Sequence, residues 1–313
     1  MQNKIVCIAG PTASGKTRLA VSLAQELSGE VVSADSMQIY KRMDIGTAKP
    51  TKEERMGIPH HMIDIAEPWE NYSVGRYVAE ASEVCEDILA RSKVPIVAGG
   101  TGMYMDNLIR GTEFAKSPED SKYRESLLKL YESIGAEGLH NMLKEVDAHR
   151  AEEIHPNNVK RVIRALEVYK ISGKTISEHD SETRKTPDKF NAVFIGLCFS
   201  KREELYERIN LRVDKMFEDG LEAEVRGLLE SGVSEDSTAM QAIGYKELVD
   251  YIRGNGSEKD AKEAVKQATR RYAKRQMTWF HRNKNIFWID VSKADNFSEI
   301  IQSSINFAHE SGI

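Results

Sequence analysis

Gly-Pro-Thr-Ala-Ser-Gly-Lys-Thr, residues 10–17, has the Gly-x-x-x-x-Gly-Lys-Thr spacing of a loop that cradles phosphate. An apolar run of strand type, Ile5–Ala9, leads into it, and Leu19, Ala20, Leu23, Ala24 and Leu27 follow at helical spacing. Strand, loop and helix therefore stand in the order such a loop needs. Gly10 and Gly15 let the backbone wrap closely around an anion, and successive N–H groups at a positive helix terminus hold it. Lys16 adds a point charge and Thr17 a hydroxyl for Mg²⁺, so Gly10, Thr12, Ala13, Ser14, Gly15, Lys16 and Thr17 form the candidate binding set for a polyphosphate or diphosphate, with Thr17 as metal ligand. A glycine-rich turn before an ordinary helix is the bland alternative, and it leaves the Lys-Thr pair unexplained.

Working outward, alternating strand and helix signals fill the first hundred residues. Strand-like runs at 4–9, 30–34 and 95–98 are each flanked by amphipathic helices, the pattern of a parallel sheet covered on both faces. From about residue 113 to 186 the periodicity turns helical throughout, as in Leu127, Leu128, Tyr131 and Ile134, or Val159, Val162, Ile163, Leu166 and Tyr169. An apolar strand returns at 191–199, Ser200 with Glu203 reads as a capping box opening the next helix, and a last strand falls at 286–291. The predicted fold is α/β: a P-loop NTPase-like parallel sheet flanked by helices, built from 1–112 and 190–313, with a mostly helical insertion domain at 113–189.

The 313 residues are 40 % apolar and 30 % charged, enough for a substantial core. No apolar stretch approaches the ~18 residues of a membrane span, and the first residues lack the pattern of a secretory signal. Cys7, Cys85 and Cys198 are scattered, two in strands and one in a helix, which predicts reduced, buried thiols and a cytoplasmic protein. No long apolar seam calls for assembly, so a monomer is expected. A formal net charge of −5 excludes indiscriminate coating of nucleic acid but not a local basic face. Such a face exists between Glu263 and Asp290, where Lys266, Arg270, Arg271, Lys274, Arg275, Arg282 and Lys284 occur without an acid.

Nucleotide-hydrolysing relatives of this loop place a metal-binding Asp at the end of an apolar strand. Here the apolar run 94–98 ends in Gly99-Gly100-Thr101-Gly102 without an acid. That corner admits a ligand close to the backbone and offers the Thr101 hydroxyl, although a tight turn alone would read the same way. The first acid after a strand is Asp35, at the carboxyl end where open α/β sheets bind ligands. It suits a metal ligand, a general base, or simply a helix N-cap.

Further motifs stand in order along the chain: Ser-Ala-Asp-Ser-Met-Gln-Ile-Tyr (33–40), Met-Asp-Ile-Gly-Thr-Ala-Lys-Pro (43–50), Pro-His-His-Met-Ile-Asp (59–64) and Gly-Gly-Thr-Gly-Met-Tyr (99–104). Arg-Val-Ile-Arg-Ala-Leu-Glu (161–167), Ala-Ile-Gly-Tyr-Lys-Glu (242–247) and Arg-Tyr-Ala-Lys-Arg-Gln-Met-Thr-Trp-Phe (271–280) follow. Together with the loop, this set resembles the bacterial tRNA dimethylallyltransferases (tRNA isopentenyltransferases) over nearly the whole chain. The resemblance implies transfer of a dimethylallyl group from dimethylallyl diphosphate to N6 of the adenosine 3′-adjacent to the anticodon, with Mg²⁺. It implies Asp35 as the base for the N6 proton, Thr101 as a hydroxyl near the reacting atoms, and Arg212 on the diphosphate beside the loop.

A base stacked in an anticodon loop is out of reach, so the target adenine is expected to be extruded into a dry channel lined at its mouth by Asp35, Ser36, Met37 and Gln38. Arg271 and Arg275, one turn apart on a helix around 261–284, are expected on tRNA phosphates. So is a second basic cluster on the insertion, Lys160, Arg161 and Arg164, with Arg124 beside it; Lys160 stands where some relatives carry Gln. His60 and His61 have no third ligand at zinc spacing and read as loop residues. Two other readings use the same loop differently. A small-molecule or nucleotide kinase lacks its strand-end Asp here and has no use for the basic helix. A non-enzymatic RNA-binding module leaves Lys16 and Thr17 idle.

Overall fold

The computed structural model describes residues 3–112, 114 and 121–313. Strands β1 (Lys4–Ala9), β2 (Gly29–Ser33), β3 (His60–His61), β4 (Val94–Ala98), β5 (Asn191–Cys198) and β6 (Phe287–Asp290) form one sheet in the order β3-β2-β4-β1-β5-β6. Every pairing is parallel. Such a sheet is covered on both faces, which is why its strands are apolar at consecutive positions. In β1 the side chains alternate between two layers. Ile5, Cys7 and Ala9 join one core with Val32, Val97 and Phe194, while Val6 and Ile8 join the other with Leu19, Leu23, Ile96 and Leu197.

The chain folds as two compact units, Met1–Gly111 with Lys189–Ile313, and Thr112–Asp188. In the first, α1 (Lys16–Glu26) leaves the phosphate loop, followed by α2 (Lys52–Arg55), α3 (Val74–Ala90) and α4 (Gly102–Arg110). The second contains α5 (Ser121–Val146), broken at Gly135 (φ 71°), with α6 (Ala148–Glu153), α7 (Val159–Ser172) and α8 (Ile176–Lys185). Its own core is Leu127, Leu139, Leu143, Val162, Ile163 and Leu166. The chain then completes the first unit with α9 (Arg202–Glu218), α10 (Leu221–Glu230), α11 (Lys246–Ile252), α12 (Glu258–Phe280) and α13 (Phe297–Glu310). The insertion boundary expected at 113 falls on a residue outside those described.

Several local expectations are corrected. His60 and His61 are not loop residues but a short edge strand on Val31 and Val32, too brief to show a period. Helix α9 opens at Lys201 without a side-chain cap, and the Ser200 N–H donates to Asp290 Oδ1 instead, so no capping box forms. The basic helix runs 258–280 rather than 261–284, ending in a turn after Phe280. Beyond the last strand lies α13, whose Ile300, Phe297 and Ile301 cover the second core. Cys7 and Cys85 are buried free thiols, but Cys198 at the end of β5 is only partly covered.

Candidate active site

The phosphate loop follows β1 and is shaped by close contacts that leave no room for side chains at two positions. A Cβ on Gly10 (φ 142°) would lie 2.7 Å from Leu197 O, and one on Gly15 (φ 96°) 2.7 Å from the Phe297 ring. Between them Ala13 adopts φ 62°, a left-handed conformation that persists only if neighbours fix it. Three side chains do so. The Thr12 N–H donates to Gln276 Oε1 (2.9 Å), Arg212 Nη1 donates to Thr12 Oγ1 (3.0 Å), and Arg208 Nε donates to Ala13 O (2.9 Å). The Ser14 hydroxyl is buried within the loop without a partner among the described residues. An orphaned polar atom there is what an anion-binding cradle leaves when its ligand is not part of the fold.

Lys16 Nζ donates to Pro11 O at 2.7 Å. Burial, reinforced by the Arg212 guanidinium and opposed by Asp35, pushes its pKa down to about 7. Burial also lowers the pKa of Arg212. Both cations are thus held short of counter-charge in a cavity of about 680 Å³, lined by the loop, Asp35, Gln38, Gly99, Gly100, Tyr272 and Gln276.

Asp35 and Thr101 lie at the carboxyl ends of the adjacent strands β2 and β4. The Ala34 N–H donates to Ala98 O (2.9 Å) and the Thr101 N–H to Ala34 O (3.0 Å), an approach only glycine permits at 99, where a Cβ would stand 2.2 Å from Ala34 O. Asp35 Oδ1 accepts from the Met37 and Gln38 amides (2.9 and 3.3 Å), and Thr101 Oγ1 accepts from the Ser36 N–H (3.0 Å). The N-cap alternative for Asp35 is realised as a turn cap by one oxygen. No hydrogen bond engages Oδ2 among the described residues, so the same carboxylate has an oxygen left for chemistry. Met37 packs against the main core. Gln38 accepts from Ser33 Oγ and donates to Thr47 O and Ala48 O, so its amide fixes the 43–50 loop. That loop is gripped from α10 as well: the N–H groups of Asp44, Ile45 and Gly46 all donate to the Glu224 carboxylate (2.7, 2.8 and 3.0 Å), and Tyr245 Oη donates to it at 2.6 Å.

On α12, Arg271 and Arg275 are exposed and Ala261, Val265, Ala273, Gln276 and Phe280 are buried, so one helix presents both a basic and a core face. Arg275 also lies over the Tyr272 ring, 5.6 Å from its centroid. In the second unit Lys160, Arg161 and Arg164 are exposed along α7. Arg124 is held there by a bidentate pair to Glu167 (2.7 and 2.8 Å), a carboxylate 1 % exposed. Arg124→Ala is therefore expected to destabilise the insertion by about 1–3 kcal/mol. Hydrogen exchange in α5 and α7 reads this directly; unchanged protection would return Arg124 to the surface set.

His61 Nε2 pairs with buried Glu30 Oε2 at 2.8 Å, and His60 Nδ1 with Ile58 O. Glu30 is also held by Arg91 and Lys93, which keep it ionised. Among the described residues no group of three or more His, Cys, Asp or Glu is placed to hold a metal. Sequence reasoning missed Gln276, Arg208, Glu224 and Phe297. The one available signal was at Gln276, an amide on an otherwise apolar helix face.

Residues 38–284 match the family model described as IPP transferase, and residues 3–65 the model described as isopentenyl transferase. The chain belongs to the IPP transferase family. It is 50 % identical to the tRNA dimethylallyltransferase of Acetivibrio thermocellus over 303 residues, covering 97 % of this chain and 96 % of that one. It is 45 % identical over 307 residues to that of Halalkalibacterium halodurans, covering 98 % and 97 %. Among solved structures, the full-length tRNA isopentenylpyrophosphate transferase from Bacillus halodurans superposes with a TM-score of 0.74 at 43 % identity, over 99 % of this chain and 96 % of that one. A eukaryotic dimethylallyltransferase acting on tRNA gives 0.81 at 32 % identity, over 99 % and 80 %. This IPP transferase has, among its described residues, no helix long and apolar enough to cross a membrane.

Proposed function

We propose that this chain transfers a dimethylallyl group from dimethylallyl diphosphate to N6 of the adenosine 3′-adjacent to the anticodon of tRNA, releasing diphosphate. Its relatives named as tRNA dimethylallyltransferases support the transfer to tRNA. The observation that carries the reading is the cavity itself, in which an anion cradle with two desolvated cations faces the Asp35 carboxylate and no strand-end acid follows β4.

Adenine N6 is a weak nucleophile because its lone pair is delocalised into the ring. In the proposed step the N6–C1 bond forms as the C1–O bond to diphosphate breaks, the N6 proton passes to Asp35 Oδ2, and the bond pair leaves with the diphosphate. Lys16, Arg212 and the loop amides hold that departing charge in place before reaction. Thr101, bound to the turn that carries Asp35, sets the height at which the acceptor base sits. The Thr17 hydroxyl, a hard oxygen donor at the end of the cradle, fits Mg²⁺ and would hold it together with phosphate oxygens of the donor. When bound, the ion neutralises charge on the leaving group. Allylic carbocation character at C1 requires that water be kept from the reacting atoms while donor and acceptor are bound.

Incubation with unmodified tRNA and either dimethylallyl diphosphate or ATP tests the assignment. Prenylated adenosine in tRNA digests is expected with the first only; phosphate transfer without prenylation would favour a kinase. The exposed arginines of α12 carry a second expectation. Arg271→Ala or Arg275→Ala should weaken tRNA binding and flatten its salt dependence by about one contact each. Filter binding across a salt series measures the slope, and an unchanged slope removes these side chains from the RNA.

A further inference from the structure

Gln276 is 4 % exposed one turn before the C-terminal end of the basic helix, yet both ends of its amide are committed to other elements. Its Oε1 accepts the Thr12 N–H of the phosphate loop at 2.9 Å, and its Nε2 donates to Gly100 O of the corner after β4 at 3.1 Å. The corner is cut to receive it, since a Cβ on Gly100 would lie 2.1 Å from Gln276 Nε2. We propose that Gln276 is a positioning residue for the transfer reaction: it sets the diphosphate cradle at a fixed height against Thr101, so that leaving group and acceptor base meet in line.

Competition from the donor's own charge sets Gln276 apart from its neighbours. Arg212 also holds Thr12, but through a charge that the donor's diphosphate competes for; Arg208 holds Ala13 from an exposed position. Gln276 is neutral and buried, so its grip on the left-handed stretch at Ala13 is the same with or without an anion in the cavity. A shift of about 1 Å between cradle and acceptor is enough to cost ~10²-fold in rate. No other side chain among the described residues bonds both the loop and the Gly99–Gly102 corner, and Tyr272 Oη supports the corner alone, at 3.4 Å from Gly100 O.

The inference rests on the donor reading of the cavity, and binding of inorganic diphosphate with Mg²⁺ separates the two. Calorimetry on the full chain is expected to show diphosphate binding to the wild type and about tenfold weaker binding to Gln276→Met, which fills the space but makes neither bond. In steady state the same variant should raise KM for the donor about tenfold and lower kcat by a further tenfold or more, with tRNA affinity within twofold. Gln276→Glu adds a readout that simple packing does not move. As a neutral acid it makes both bonds, and as a carboxylate only the one to Thr12, so its kcat relative to wild type should fall as pH rises from 6 to 8.5. The charged or titratable groups lining that cavity, Lys16, Asp35, Arg212 and Tyr272 with Arg18, Asp44, Lys49, Glu54, Lys215 and Asp219, are common to both proteins and enter the ratio only through the new charge. If Gln276→Met does not fold, Gln276→Asn, whose amide is one methylene short of both partners, carries the same expectation. Equal diphosphate affinity and unchanged kcat in either variant would overturn the proposal. Failure of the wild type to bind diphosphate would instead remove the donor reading, and this inference with it.

Discussion

Asp35→Asn lowers the chemical step by roughly 10²–10⁴ while leaving tRNA affinity nearly unchanged, the result expected if Asp35 accepts the N6 proton. The choice of asparagine follows from the geometry. Asp35 Oδ1 caps the Met37 and Gln38 amides, and alanine would lose this cap, worth about 0.5–2 kcal/mol, along with the base. Asn keeps an acceptor for the turn and presents no basic oxygen to the substrate. Single-turnover prenylation, with tRNA affinity measured separately, distinguishes the roles. Asp35→Ala is expected to lose the same catalytic factor plus some order in residues 36–38. Matching losses of rate and tRNA affinity in the Asn variant would make Asp35 a recognition residue.

The second large effect is at Lys16. Lys16→Ala should reduce kcat/KM by roughly 10²–10³, the scale of removing one preorganised donor from a developing anion. Wild-type behaviour carries a pH signature too. With its pKa pushed down to about 7 by burial and Arg212, Lys16 is protonated below pH 7 and increasingly neutral above it. A bound diphosphate favours the ammonium and raises that pKa. Binding above pH 7 therefore takes up a proton at Lys16, and affinity declines with rising pH toward about tenfold per unit. Lys16→Arg, charged throughout, should lose this dependence. Calorimetry of inorganic diphosphate binding at pH 7.5, in buffers of different ionisation heat, counts the protons. Inorganic diphosphate loses protons of its own on binding, so the Lys16 contribution is the wild-type count less that of Lys16→Arg. A difference of zero would show that Lys16 stays charged in the free protein.

What was legible in the sequence had a local cause. The Gly10–Thr17 spacing, the apolar runs of β1, β4 and β5 and the periodicity of α7 each state their own conformation, because buried parallel strands and amphipathic helices need no partner's identity to be recognised. Asp35 and Thr101 were readable as strand-end residues for the same reason. What stayed hidden was set by distant neighbours. Two residues of β3 are a strand only because Val31 and Val32 lie beside them. The expected Ser200 cap lost to Asp290, ninety positions away. Arg124 resembles its basic neighbours in sequence, and only the fold supplies its partner Glu167. Gln276 and Glu224 act on segments 264 and about 180 residues away in the chain, separations over which no spacing rule operates.

Glu224 also closes a second anion seat. Three consecutive amides at 44–46 would by themselves make a rival seat for an oxyanion, within the same chamber as the phosphate loop. The chain plugs that seat with its own carboxylate. With the Asp44, Ile45 and Gly46 N–H groups saturated from α10, these amides are closed to any anion in the chamber that Asp44 and Ile45 help to line.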